Sequence, residues 1–110
     1  MLEKSTETNL IEPADCKDMA EVRAGVDAVD QALVVLLGRR FAYMDAAARV
    51  KPNRTDVRDE VRKAQVLDNV KLAAAGNEIP VEFATALWDQ LVEASIAYEL
   101  KRWDEQRGMG

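Results

Sequence analysis

Three cations, Arg23, Arg40 and Lys51, interrupt a row of mostly apolar residues spaced in alternating steps of four and three: Met19, Arg23, Val26, Asp30, Leu33, Leu37, Arg40, Met44, Ala47 and Lys51. Such a row is the side of a helix that faces another helix. A cation buried there without an anion is costly, so each must reach water or meet a negative group. Arg40 and Lys51 stand eleven residues apart, about 20° around a helix and roughly 16 Å along it, so their side chains can converge on one small dianion. Arg23 lies seventeen residues before Arg40, roughly 25 Å away, out of reach of the same ligand from the same chain. An antiparallel second copy would bring it there. The competing reading is structural: long Arg and Lys stems snorkel from the edge of a seam, and Asp30 can pair with one of them. A second row, Ala32, Leu36, Arg39, Tyr43, Ala46 and Val50, also competes and would bury Arg39 instead.

The elements that must position these cations are legible from punctuation. No proline falls between Pro13 and Pro52, so one helix is expected from about Asp15–Lys17 to Val50–Lys51. Pro52 stops it by pushing the preceding residue out of helical geometry. "PNRTD" reads as a turn, after which Thr55 or Asp56 is expected to cap a second helix. That helix runs through "VRDEVRKAQVLDNVKLAAA" and closes at Gly76 as the residue just past its end. "NEI" is the next turn, and Pro80 suits the first position of a third helix that continues through "EFATALWDQLVEASIAYELKRW". The fold class expected is all-α, three helices per chain with a very long first helix. A loose arm is expected over residues 1–14 and one helical domain over 15–110. At about 1.5 Å per residue the first helix is roughly 50 Å long, wider than a compact domain of this size. It needs cover along its whole length, and a second copy of the chain is the natural source: an intertwined homodimer.

Composition narrows the chemistry. The chain has 110 residues, enough for one domain, with 15 basic and 20 acidic residues and a net charge of −5. No basic patch with interleaved aromatics is visible, so nucleic acid is not an expected partner. There is no histidine, which removes Ser-His-Asp and Cys-His catalysis and the commonest zinc ligands. Cys16 is the one cysteine, so no intrachain disulfide can form; it reads as a passive thiol, and a reducing, cytoplasmic setting is the simplest expectation. No apolar run reaches membrane-spanning length, and "MLEKSTETNLIEPADC" lacks the basic-then-apolar pattern of a signal peptide. No metal or cofactor is expected.

The ordered set Arg23, Arg40, Lys51, "VRDEVRK" and "SIAYE" resembles the all-helical chorismate mutases, from about Asp15 to Trp103. "PADC", "GRRFAYMDAAARVK" and "LKRW" are most similar to the isochorismate pyruvate lyase branch of that superfamily. The resemblance implies a domain-swapped homodimer with two equivalent sites and a small dicarboxylate substrate, chorismate or isochorismate. It implies that Arg40, Arg62 and the partner subunit's Arg23 hold the two carboxylates. Lys51 would contact the ether oxygen and a carboxylate. Asp59 would accept from the ring hydroxyl, Ser95 would support a carboxylate, and Glu99 would donate to the ether oxygen. Local spacing is compatible: Asp59 and Arg62, and Ser95 and Glu99, each share a helix face. Each also has a plain structural reading. Asp59 and Arg62 can be a solvated pair, Ser95 can bond back to its own helix, and Glu99 can pair with Arg102. Lys63 departs from the pattern, standing where the simple mutases often have a glutamate that assists with the hydroxyl. Glu99 departs too, since many members have glutamine there.

The reaction implied is the Claisen rearrangement of chorismate to prephenate, in which the ether C–O bond breaks as a C–C bond forms. It needs no nucleophile, metal or cofactor, only a compact substrate conformer and positive charge beside the ether oxygen. A carboxylate cannot donate a hydrogen bond, so a donating Glu99 must be protonated, and activity is expected to be best at acidic pH. The close alternative is an isochorismate pyruvate lyase yielding salicylate and pyruvate through the same cationic clamp; Asp59, Arg62 and Ser95 favour the mutase. A further alternative is a non-enzymatic helical dimerisation module whose charges are merely solvated.

Overall fold

The computed structural model describes residues 10–108. Residues 1–9 of the expected arm lie outside the described residues. Three helices follow one another, α1 (Met19–Val50), α2 (Glu60–Gly76) and α3 (Val81–Gln106), with short 3-10 turns at Pro13–Asp15 and Arg54–Asp56. The all-α, three-helix expectation is borne out. The chain forms two compact units, one ending at Arg40 and one beginning at Phe41, and α1 passes through both.

In the first unit, Pro13–Asp15 is spent on a tight turn closed by Cys16 N–H donating to the Pro13 carbonyl, so α1 starts later than Asp15–Lys17. Asp18 makes the start: its carboxylate accepts from Glu21 N–H at 2.9 Å, and the Glu21 carboxylate accepts from Lys17 N–H at 2.7 Å. A groove of about 440 Å³ is lined by Leu10, Ile11, Pro13, Cys16, Val22 and Val26. Further along, Leu33, Val34, Val35 and Leu36 are 50%, 66%, 71% and 63% exposed, and no described residue of α1 before Ala48 is buried.

The second unit has a core. Ala48, Val57, Val92, Ile96 and Trp103 are buried together, with Val66 and Leu100 packed against them. Burying each of the larger side chains contributes about 1.5–3 kcal/mol. Here the two competing rows on α1 separate. Met44 and Ala47 are half-buried and Ala48 is fully buried, while Tyr43 and Val50 face solvent. The row that ends in Lys51 is the more inward one in this unit, with Ala46 the half-buried member of the other row.

Further boundaries differ from expectation. α2 is capped by Asp59, not by Thr55 or Asp56; its carboxylate accepts from Arg62 N–H at 3.0 Å. Asp56 instead accepts from Asn53 N–H within the 3-10 turn, and the next residue, Val57, is buried, so the chain dips into the core before the helix begins. At the other end Gly76 is still helical. The left-handed residue is Glu78, with φ 59°. Asn77 Nδ2 donates to the Ala73 carbonyl and Ile79 N–H to the Ala74 carbonyl, closing the helix end. Pro80 caps α3 from just outside it, and α3 runs beyond Trp103 to Gln106.

Candidate active site

Lys51 leaves the end of α1 immediately before Pro52, with its N–H still bonded to the Ala47 carbonyl. Its ammonium lies 2.8 Å from Glu99 Oε2, and it donates to the Val57 carbonyl at 3.4 Å. Glu99 projects from the middle of α3 and is only 4% exposed. The ammonium approaches Oε2 closely but off the line of a hydrogen bond, so this buried oxygen is compensated by charge and not by a directed donor. The pair sets one ammonium beside one buried carboxyl and includes no serine or cysteine nucleophile.

Glu99 does not pair with Arg102. Asp45 takes that arginine, accepting from Arg102 Nε at 2.8 Å and from the Tyr98 hydroxyl at 2.9 Å. These contacts, the Arg102 bond first, hold the Asp45 carboxyl below the usual carboxylate range. With Phe41 packed edge-on against Tyr98 at 5.0 Å, they fix α1 against α3 and leave Glu99 to Lys51.

The other expected residues are placed as follows. Ser95 is buried one turn before Glu99, and its Oγ donates to the Leu91 carbonyl at 2.7 Å. Asp59 caps α2, and Arg62 is exposed with Nη1 donating to Gln65 at 3.4 Å. Their contact is thus main-chain capping, not a side-chain ion pair. Arg40 is half-buried and Arg23 is exposed, both on the first unit's part of α1. Lys63 does not stand free where a hydroxyl-binding acid would be. Its ammonium lies 2.7 Å from Glu93 and 3.0 Å from Asp89 on α3. Arg58 joins the same cluster at 2.6 Å from Glu93, and the Arg58 and Lys63 bonds pull the Glu93 carboxyl down to about 2.

Cys16 lies in the other unit, and partial desolvation together with Glu21, Asp18 and Asp15 pushes its thiol up, away from the reactive thiolate. The described residues lining the groove beside it include no cation, so it offers nothing for a dicarboxylate. No helix among the described residues is long and apolar enough to cross a membrane.

Two residues not expected from sequence reach Lys51 from its other end. Trp103 Nε1 and Arg107 Nη2 both donate to the Lys51 carbonyl, at 3.0 Å and 2.9 Å. The signal that could have found Arg107 is Pro52, which leaves the Ala48 carbonyl without its helical donor; Arg107 Nη1 donates there at 3.1 Å, whereas nothing in the sequence points to Trp103.

Residues 22–100 match the family model described as chorismate mutase type II. The chain is also 32% identical over 96 residues to the isochorismate pyruvate lyase of Pseudomonas aeruginosa, a match covering 87% of this chain and 95% of that protein. A lysine at the end of a long first helix, meeting a buried acid in the middle of the third, is thus found on a chain that belongs to the chorismate mutase type II family.

Proposed function

We propose that the chain is a chorismate mutase, converting chorismate to prephenate by clamping the substrate's two carboxylates and stabilising negative charge on its ether oxygen. The observation that carries this reading is the Lys51–Glu99 contact: an ammonium 2.8 Å from a buried carboxyl, the only two groups such an oxygen needs beside it. Lys51 polarises the ether oxygen as the C–O bond breaks, and Glu99, paired with that ammonium in the free chain, donates to the same atom only as the acid. Arg40, Arg62 and the partner subunit's Arg23 hold the carboxylates, Ser95 supports one of them, and Asp59 accepts from the ring hydroxyl. The dimer that would supply Arg23 is part of the proposal, supported by the exposed apolar residues Val26, Leu33 and Leu37 on the same helix.

Glu99→Gln, which keeps a donor at that place without a charge, is expected to retain activity, and Glu99→Ala to lose it. Equal activity in Glu99→Ala and wild type would remove Glu99 as a donor.

One observation favours the lyase as second reading. The similarity to the Pseudomonas aeruginosa enzyme runs along 95% of that protein, while Asp59, Arg62 and Ser95, which favour the mutase, each make local helix contacts that need no substrate. Both reactions are pericyclic and use the same cations. Product identification separates them: prephenate from chorismate supports the mutase, and salicylate with pyruvate from isochorismate supports the lyase. Turnover of neither substrate would overturn both.

A further inference from the structure

The last turns of α3 do more than close the core. In an α-helix the carbonyl of residue 48 accepts from the N–H of residue 52. Residue 52 is proline and has none. Arg107 Nη1 fills that vacancy by donating to the Ala48 carbonyl at 3.1 Å, while its Nη2 donates to the Lys51 carbonyl at 2.9 Å. Trp103 Nε1 donates to the same Lys51 carbonyl at 3.0 Å, and the Arg107 guanidinium sits 4.0 Å over the Trp103 ring. Arg107 is held in that pose by a further bond from Nη1 to the Trp103 carbonyl at 3.3 Å. Glu99 and Trp103 stand one turn apart on one face of α3, and Arg107, the residue just past its end, follows after four more residues. That face therefore grips Lys51 at both ends, the ammonium through Glu99 and the carbonyl through Trp103 and Arg107. Trp103 and Arg107 lie beyond residues 22–100, the segment that matches the family.

We propose that Arg107, together with Trp103, is a positioning residue for Lys51: it replaces the helix-end donor that Pro52 removes and so fixes where the Lys51 ammonium is presented. This rests on Lys51 being the cation at the reacting oxygen. The neighbouring Arg54–Asp104 pair provides the contrast. It ties the same loop to the same stretch of α3, with bonds of 2.9 Å and 3.2 Å, but it does not touch the Lys51 carbonyl. A role in general loop stability would make the two ties equivalent; a role in aiming Lys51 would not.

The test compares wild type with Arg107→Ala, Arg107→Lys, Trp103→Phe and Arg54→Ala, each checked for helicity and melting temperature. Both substrates are assayed with product identification. A misplacement of the cation by about an ångström is expected to lower kcat about 10²-fold in Arg107→Ala, with KM moving less than about threefold. Arg107→Lys and added methylguanidine are expected to recover part of that loss. Trp103→Phe, which keeps the ring and loses the N–H, is expected to lower kcat about tenfold. Arg54→Ala is expected to lower the melting temperature while leaving kcat within about threefold of wild type. The ¹³C resonance of the Glu99 carboxyl reads the Lys51 contact without turnover and is expected to move in Arg107→Ala but not in Arg54→Ala. Unchanged kcat and an unmoved Glu99 resonance in Arg107→Ala would overturn the inference, as would equal kcat losses in Arg107→Ala and Arg54→Ala at matched stability. If Arg107→Ala does not fold, Arg107→Lys and Trp103→Phe decide by the same readouts. Wild type inactive on both substrates would remove the catalytic role of Lys51, while the Glu99 resonance would still decide whether Arg107 positions it.

Discussion

The two halves of α1 make opposite use of similar side chains. Beyond Phe41 the helix turns Met44, Ala47 and Ala48 inward, where they meet a core built around Val92, Ile96 and Trp103. Up to Arg40 it carries Val26, Leu33, Val34 and Leu36 at half exposure or more, with no buried residue. An exposed apolar stretch of this length marks an interaction surface. One half thus packs within the chain and carries the Lys51–Glu99 pair. The other carries Arg23 and leaves its apolar side chains exposed. The lesson is that a long helix can carry a finished core at one end and an uncovered apolar surface at the other.

The largest effect expected from breaking this contrast is at the finished end. On the proposed mechanism Lys51→Ala should lower kcat/KM about 10³-fold, the cost of losing a fixed charge at a developing oxyanion, and should also lower the melting temperature, because it leaves the buried Glu99 carboxyl without its cation. Steady-state kinetics beside a thermal melt checks both parts. Next come paired truncations in the two regions. Ile96→Ala should cost about 2–4 kcal/mol of stability at any protein concentration, because its cavity lies in the chain's own core. Leu33→Ala would cost under about 0.5 kcal/mol if water covers that residue. Under a second subunit it should instead cost about 2 kcal/mol and make the melting temperature concentration-dependent, which is the outcome expected.

Acid sharpens the comparison within the finished unit. The Glu93 carboxyl is depressed to about 2 by Arg58 and Lys63, so the unfolded chain binds its proton more readily than the folded one. That contribution is present above the unfolded value of about 4.3 and is lost as pH falls towards about 2. Melting temperature should drop across this window, and Glu93→Gln should make the drop shallower. The smallest effect belongs to the α2–α3 turn. Glu78→Gly should stabilise the fold by about 0.5 kcal/mol, since relief of the left-handed strain slightly exceeds the entropy glycine adds to the unfolded chain.

Much of the architecture was legible because proline marks it: Pro52 and Pro80 bracket α2 and the turns on either side. Errors arose where a distant contact overrode a local signal. Thr55 and Asp56 are good caps, but burial of Val57 delays α2 to Asp59. Gly76 is a good helix stop, yet bonds from Asn77 and Ile79 place the left-handed residue at Glu78. In the site, the Lys51–Glu99 contact could not come from spacing on one helix; it was expected only because the chain resembles a family. Arg102, three residues from Glu99, is a plausible local partner for it, and only the fold reveals that Asp45 and Glu105 take that arginine instead. Pro52 marks the Ala48 carbonyl as an orphan, but that Arg107 answers it, and that Trp103 joins it at the Lys51 carbonyl, depends on where α3 crosses α1.

The most direct test of the account is mixed-subunit complementation. Arg23→Ala and Lys51→Ala are each expected to be inactive alone. After co-refolding, a dimer holding one of each would contain one site with an intact Lys51 and the partner subunit's Arg23, so activity should return to about a quarter of wild type. Recovery at that level would show that the exposed half of α1 completes the other chain's site. No recovery, with mixed dimers demonstrably formed, would contradict it.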